Sequence, residues 1–238
     1  MAERIRIQKA IANAGLMSRR AAEEAMQDGR VMLNGEPVVL GDRVDPEHDV
    51  LTLDGNPVPV SERLETHLLN KPVGVISTAT DPRGRRTVVD LIDSERRLYP
   101  VGRLDADSEG LILVSNDGEL TNRVTHPSFG ITKTYLAEVE GTVIAGTIRR
   151  LTTGIELEDG PARSESARLV DSRPGKSLVE LVMVEGRNRE VRRMLDAVGH
   201  PVTRLVRTAI GGLADRDLEP GESRRLTASD IQRVLSGR

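Results

Sequence analysis

Apolar residues near the start of the chain recur at helical spacing: Ile7, Ala10, Ile11 and Ala14, closed by Gly15. They predict a short first helix. Ala21, Ala22, Ala25 and Met26 repeat the pattern behind Ser18, whose hydroxyl suits an N-cap, and Gly29 suits the stop. From Val31 the period shortens to that of strands. Residues 31–33, 38–40 and 50–53 are expected to be extended, and Asn34-Gly35 is the residue pair that most favours a two-residue hairpin turn. Such a unit is too small to act alone as an enzyme. Asn56-Pro57-Val58-Pro59-Val60-Ser61 reads as a linker, because prolines remove ladder donors and stiffen the chain.

From His67 onward strands and helices mix. Strands are expected over 68–70, 73–77, 111–115, 131–140, 167–170 and 178–184, with a helix after Thr87 and another after Asp117-Gly118. The clearest helix spans 189–198, with Val191, Met194, Leu195 and Val198 on one face. Thr227, with Asp230 three residues on, opens a last short helix. The fold class is therefore α+β: a small helix-pair/β module over 1–60, then a larger domain over 61–238 with a mixed, mostly antiparallel sheet.

Composition narrows the classes. With 238 residues the chain can bury a real core, yet no run approaches the roughly 18 apolar residues of a spanning helix. The opening MAERIRIQKA lacks the apolar region of a signal peptide, so a cytoplasmic protein without a membrane anchor is expected. The absence of cysteine and the scatter of His48, His67, His126 and His200 leave no ligand-spaced cluster, and no metal is expected. Net charge is −3, but the charge is segregated: residues 1–30 carry six basic against four acidic side chains and 185–207 six against three, whereas 31–62 carry one against seven. Two basic surfaces facing a polyanion would produce that pattern. Only Tyr99, Phe129 and Tyr135 are aromatic, which excludes a broad stacking platform for single strands.

The candidate chemistry lies in GRLDADSEGLILVSNDGEL, Gly102 to Leu120, which sets Asp105 two residues after Arg103 and just before an apolar strand. Asn70-Lys71-Pro72-Val73-Gly74 precedes it, Lys133-Thr134-Tyr135 follows, and EGRNREVRRMLDAVGHPVTRLVRTAIGGL spans Glu185 to Leu213. In this order and spacing the segments resemble the pseudouridine synthases, and among them the RsuA/RluB branch that modifies bacterial ribosomal RNA. AGLMSRRAAEEAMQDGRVMLNG, within residues 4–55, resembles an S4 RNA-binding domain.

The resemblance implies a cofactor-free isomerisation of uridine in ribosomal RNA, with large-subunit (23S) RNA favoured over small-subunit (16S) RNA. It assigns the nucleophile to Asp105, an aspartate being ionised at neutral pH with an ordinary pKa of about 3.9. It assigns Tyr135 to stacking on the flipped base, although a strand tyrosine by itself equally fits a core position. Arg192, about 100° around its helix from Val191 and so beside the buried stripe, is expected to reach in and pair with Asp105. Leu205 would pack under the base, Arg103 would enter the space the base leaves, and Lys71 would lie near the RNA backbone. Arg187 is expected at substrate phosphates, with Arg189 and Arg193 at phosphates or solvent. Arg4, Lys9, Arg19, Arg20 and Arg30 would form the S4-like RNA surface. The expected partner is ribosomal RNA or a ribosomal subunit precursor, met by a monomer. A non-catalytic ribosome-assembly factor would have no need of Asp105, Tyr135 and Arg192 together, and a nucleoside hydrolase would need a second carboxylate across the glycosidic bond.

Overall fold

In the computed structural model, which describes residues 4–46, 48–60 and 64–237, the chain divides into two compact units: Met1–Glu65 with Ser94–Leu98, and Thr66–Asp93 with Tyr99–Arg238. The first opens with β1 (Ile5–Arg6), α1 (Ile7–Asn13) and α2 (Arg19–Gln27). Ser18 caps α2, its hydroxyl accepting from the Ala21 amide, and α1 and α2 close on one another through Ile7, Ala10, Ile11, Ala22, Ala25 and Met26. Short strands follow: β2 (Val31–Leu33), β3 (Glu36–Pro37), β4 (Arg43–Val44), β5 (Leu51–Leu53) and β6 (Asn56–Pro57). Asn34 and Gly35 both take positive φ in the β2–β3 turn, as the hairpin requires.

Two expectations fail here. Residues 38–40 are not a strand: the buried Val38 adds one bond, its amide donating to the Val31 carbonyl at 3.3 Å, and the chain then turns, the Asp42 amide donating to the Val39 carbonyl at 3.2 Å. The expected linker is extended by pairing at its start, since β6 pairs antiparallel with β5 across a second positive-φ turn, Asp54-Gly55; Ser61 lies outside the described residues. Pro57 is tolerated because β6 is an edge strand.

The second unit comprises β7 (Thr66–Lys71), β8 (Tyr99–Val101), β9 (Glu109–Ser115), α3 (Gly118–Thr125), β10 (Lys133–Glu140), α4 (Ala145–Thr153), β11 (Ile155–Leu157), β12 (Gly160–Ala162), β13 (Ser166–Arg173), β14 (Lys176–Met183), α5 (Glu190–Ala197), β15 (Val202–Ile210), β16 (Leu213–Ala214), β17 (Ser223–Arg225) and α6 (Ala228–Ser236). Its sheet runs β13-β14-β10-β15-β9-β7-β17, with β16 on β15 and β8 on β9. It is the mixed, mostly antiparallel sheet expected: among the described residues its neighbouring strands all pair antiparallel except β15 with β9. That parallel contact requires Gly110, at φ +103, because a Cβ there would stand 2.2 Å from the Arg207 carbonyl oxygen. It sets the start of β9, and so the loop carrying Asp105, beside Leu205–Arg207 of β15.

One half of the sheet packs on α4 and α5 around Val179, Leu181, Leu151, Met194 and Leu195; the other packs on α3 and α6 around Leu68, Leu113, Leu120 and Val234. Asp117 caps α3, and α6 begins with a full Thr227–Asp230 capping box. The helix expected after Thr87 is a single 3-10 turn, Val89–Leu91. No helix among the described residues is long and apolar enough to cross a membrane.

Candidate active site

Residues 102–108 join β8 to β9. Gly102, at φ +75, turns the chain, and the buried Leu104 anchors the loop. Ser77 clasps it from the side: its hydroxyl donates to the Leu104 carbonyl (2.7 Å) and accepts from the Leu104 amide (3.0 Å). Ala106 is fixed by the Gly74 amide (2.8 Å), and the Ser108 amide closes a turn on the Asp105 carbonyl (3.1 Å). Asp105 is thus held in place by its backbone, while its side chain remains 29% exposed.

The clasp explains why residues 73–77 are not the strand their apolar character predicts. Gly74 turns at φ +86, and the carbonyls of Pro72 and Val75 accept from the Lys71 ammonium at 2.9 and 2.8 Å instead of joining a ladder. Only an isolated bridge, Ile76 with Thr87, is extended there. Lys71 itself is fully buried, so the expectation that it meets the RNA backbone is corrected. Burial pulls its pKa down to about 8, against the opposing pull of Asp107, Asp105 and Glu109.

Helix α5 and the turn that leads into it supply the arginines. The expected Arg192–Asp105 pair does not form: Arg192 Nη2 donates to the Asp107 carbonyl oxygen (2.7 Å), with Ser108 Oγ at 3.3 Å, and Nη1 donates to Val202 O (3.3 Å). Its Nη atoms reach main-chain oxygens and the Ser108 hydroxyl near the β9–β15 junction, while its buried Nε has no partner among the described residues. The cation near Asp105 is Arg189, with Nη1 3.7 Å from Oδ2, while its two Nη atoms grip the Asp107 carboxylate at 3.0 and 2.9 Å. Those bonds hold the Asp107 pKa below its usual value. Arg187, expected at phosphates, is committed within the protein: it donates to the buried Glu190 (3.0 Å), to Asp159 (3.2 Å) and to the Pro161 carbonyl (2.7 Å). Asp159 also takes Arg193 in a two-point contact at 2.7 and 2.9 Å.

Tyr135 lies on β10 and Leu205 on β15, and with Asp105, Arg103, Arg187 and Arg189 they line one cleft of about 270 Å³. Tyr135 is half-buried against the α5 side of the core, and Leu205 is buried in it. A second cleft, about 480 Å³, opens on the other side of the same loop between Asp105, Arg103 and the segment from Ser77 to Arg85. In that segment Arg85 pairs with Asp81 at 2.8 Å, which brings the Asp81 pKa down to about 2.

Sequence reasoning missed Arg207, whose buried Nε donates to the Leu111 carbonyl at 2.6 Å beside the loop. The signal was present, since strand periodicity places Arg207 on the face of Leu205. It missed Lys133 too, whose Nζ bonds the Val124 and Ile131 carbonyls and whose pKa burial lowers to about 8. The roles of Arg189 and Asp107 had no local signal.

In the first unit, Arg19 and Arg20 are exposed in the opening turn of α2, Lys9 is half-buried on α1, and Arg4 is exposed at the start of β1. Arg30, 46% exposed, is bonded to Asp54 at 2.8 and 2.6 Å, because the second hairpin turn delivers that carboxylate to it.

A mixed sheet carrying a loop carboxylate into a cleft walled by a tyrosine and a leucine, with a helix-pair RNA-binding unit ahead of it, defines an RNA-modifying enzyme of the pseudouridine synthase class. The family model for RNA pseudouridylate synthases matches residues 65–197 and that for the S4 domain residues 5–50, and the chain belongs to the RNA pseudouridine synthases. It is 48% identical, over 97% of its length and 92% of the relative, to an uncharacterized RNA pseudouridine synthase of Mycobacterium leprae. It is 42% identical to ribosomal large subunit pseudouridine synthase B of Bacillus subtilis, over 96% of this chain and 95% of that protein. A crystal structure of a pseudouridylate synthase superposes with a TM-score of 0.68 at 31% identity, covering 97% of this chain and 99% of that one. The chain is therefore an isomerase acting on uridine in RNA.

Proposed function

We propose that the chain isomerises one uridine of ribosomal RNA, in the large subunit in preference to the small, with Asp105 as nucleophile. The observation that carries this reading is the state of that carboxylate: among the described residues no hydrogen bond reaches it, and it opens onto the cleft that Tyr135 and Leu205 wall. Its lone pairs are free to attack. The net change is an isomerisation: the C1′–N1 glycosidic bond breaks, a C1′–C5 bond forms, the C5 proton leaves and N1 gains one. No oxidant or energy source is consumed. A paired uridine must first leave its stack, at a cost of a few kcal/mol. Stacking on Tyr135 offsets roughly 1–3 kcal/mol of that, with Leu205 beneath the ring and Arg103 in the vacated space. An S4-like domain over residues 1–60 supplies affinity through Arg4, Lys9, Arg19 and Arg20, and a catalytic domain over 61–238 the chemistry. The preference for large-subunit RNA rests on the name of the Bacillus subtilis relative. A single chain acting in the cytoplasm on ribosomal RNA or a subunit precursor completes the proposal.

The test is pseudouridine mapping across ribosomal RNA in cells lacking the gene, rescued by wild type or by Asp105→Asn. Loss of one large-subunit site, restored by wild type alone, is the expected result. Persistence of every site would overturn it.

A further inference from the structure

We infer that Arg83 and Arg86 form a phosphate-binding site for the RNA backbone on the Ser77 side of the Asp105 loop, holding the strand next to the target uridine. The inference rests on the proposal that the uridine reacts at Asp105. On the other side of that loop the arginines are committed: Arg187, Arg189, Arg192 and Arg193 each have an acidic side chain within 4 Å, and Glu185 and Glu190 line the cleft that Tyr135 walls. A polyanion laid there meets carboxylates, and cations whose donors are already taken. The Ser77 side differs. Arg83, Arg86 and Arg103 are exposed, and among the described residues none of them has a hydrogen bond or ion pair through its side chain. Arg85 and Arg103 line the cleft of about 480 Å³ on that side, and the one carboxylate lining it besides Asp105 is Asp81, which Arg85 already holds.

The turn that carries the two arginines is built before RNA arrives. The Asp81 carboxylate accepts from the Arg85 amide (2.9 Å), from its Nε (3.1 Å) and from its Nη2 (2.8 Å), and Gly84, at φ +69, donates its amide to the Asp81 carbonyl (3.1 Å). Arg83 therefore sits inside a closed turn. Arg86 stands just past it, its carbonyl accepting from the Ile76 amide at 3.0 Å, and the buried Val88 anchors the far end by donating to the Ile76 carbonyl at 3.0 Å. Ser77, one residue on from Ile76, is the side chain that clasps Leu104. Direct hydrogen bonds thus join the segment bearing the arginines to the loop bearing Asp105. A backbone fixed in advance avoids part of the ordering cost that a loose basic loop pays on binding. Guanidinium groups without an acidic partner keep every donor for phosphate, and their planar fork suits its oxygens. Base and backbone then approach Asp105 from opposite sides of its loop, the uracil ring in the Tyr135 cleft and the phosphates along Arg83 and Arg86.

The test uses 23S ribosomal RNA transcribed in vitro, which carries no pseudouridine. For Arg83→Ala with Arg86→Ala, affinity is expected to fall about tenfold or more, and the logarithmic salt slope to flatten by about two, roughly one for each lost phosphate contact. KM should rise in parallel while kcat at saturating RNA stays within about threefold. In a hydroxyl-radical footprint, protection should disappear from the backbone within a few nucleotides of the uridine that wild type converts and persist elsewhere. Arg83→Lys with Arg86→Lys, which keeps the charges, should retain the slope. Thermal unfolding identifies any variant that fails to fold, and Arg83→Gln with Arg86→Gln then carries the comparison. A wild-type salt slope, or lost protection only at nucleotides remote from that uridine, overturns the inference. Asp105→Asn is run alongside: if it is inactive and the arginine variants bind as wild type, the phosphate site alone falls, and if it turns over while the arginine variants lose their contacts, the nucleophile assignment falls and the phosphate site stands.

Discussion

In the first unit Arg19 and Arg20 stand exposed in the opening turn of α2, and among the described residues no carboxylate pairs with either. In the second, Arg187, Arg189, Arg192 and Arg193 each lie within 4 Å of an acidic side chain around the cleft. The same residue type thus does two kinds of work. A free guanidinium at a helix N-terminus offers attraction to any phosphate, tunable by salt and indifferent to sequence. A guanidinium bonded at two or more points offers geometry, because its planar fork fixes what it holds. Net charge counts both alike, which is why a chain of net charge −3 can still present exposed arginines such as Arg19 and Arg20.

The contrast can be broken at several points. Arg187→Ala should have the largest effect. It strips the buried Glu190 of the cation bonded to it at 3.0 Å, and an uncompensated buried charge of this kind costs roughly 3–5 kcal/mol. The melting temperature and kcat should both fall; an unchanged melting temperature would show that the locked arginines are dispensable. Next comes Arg19→Ala with Arg20→Ala. The logarithmic salt slope of RNA affinity should flatten by about two, roughly one for each arginine that no longer neutralises a phosphate, with turnover at saturating RNA preserved. A slope equal to wild type would remove α2 from the RNA surface.

Lys71 gives the smallest effect, because Nζ can bond its two carbonyls in either protonation state. Its folded pKa of about 8 lies below the ordinary 10.5, so between those values the unfolded chain binds more protons and stability rises with pH. Lys133, lowered to about 8 as well, acts in the same direction. Denaturant unfolding of Lys71→Met between pH 7 and 10 should show a weaker rise than wild type; an identical rise would mean that Lys71 does not titrate in this window.

What the sequence revealed was mostly local. Ser18, Asp117 and the Thr227–Asp230 box act within one turn of their own helices, and Asn34-Gly35 within its own hairpin, so each could be read in place. Asp54-Gly55 carries the same turn chemistry and was obscured by the prolines that follow it. Helix α4 was missed because its N-cap position is Ile144, with no capping side chain, and Thr147 and Leu151 alone mark its buried face. Residues 73–77 look like a strand by composition, but a buried ammonium from Lys71 claims their neighbouring carbonyls, and nothing in the local pattern announces that.

The candidate site divides along the same line. Asp105, Tyr135, Leu205, Arg103 and Arg187 lie in motifs that could be named from the sequence, and they line one cleft. Which arginine faces which carboxylate depends on the left-handed turn at Arg189 and on the approach of β9 to β15 at Gly110, both products of tertiary packing. The pairing of Arg189 with Asp107 is therefore visible only in three dimensions.

The most direct measurement sets Asp105→Asn beside the Arg19→Ala, Arg20→Ala variant on one ribosomal RNA lacking the modification, reading pseudouridine formed at saturating RNA and binding affinity for each. The account predicts opposite failures: Asp105→Asn binds within a few fold of wild type and forms no pseudouridine, while the α2 variant binds weakly and turns over normally once saturated. Turnover by Asp105→Asn, or a loss of saturated turnover in the α2 variant equal to its loss of affinity, would contradict it.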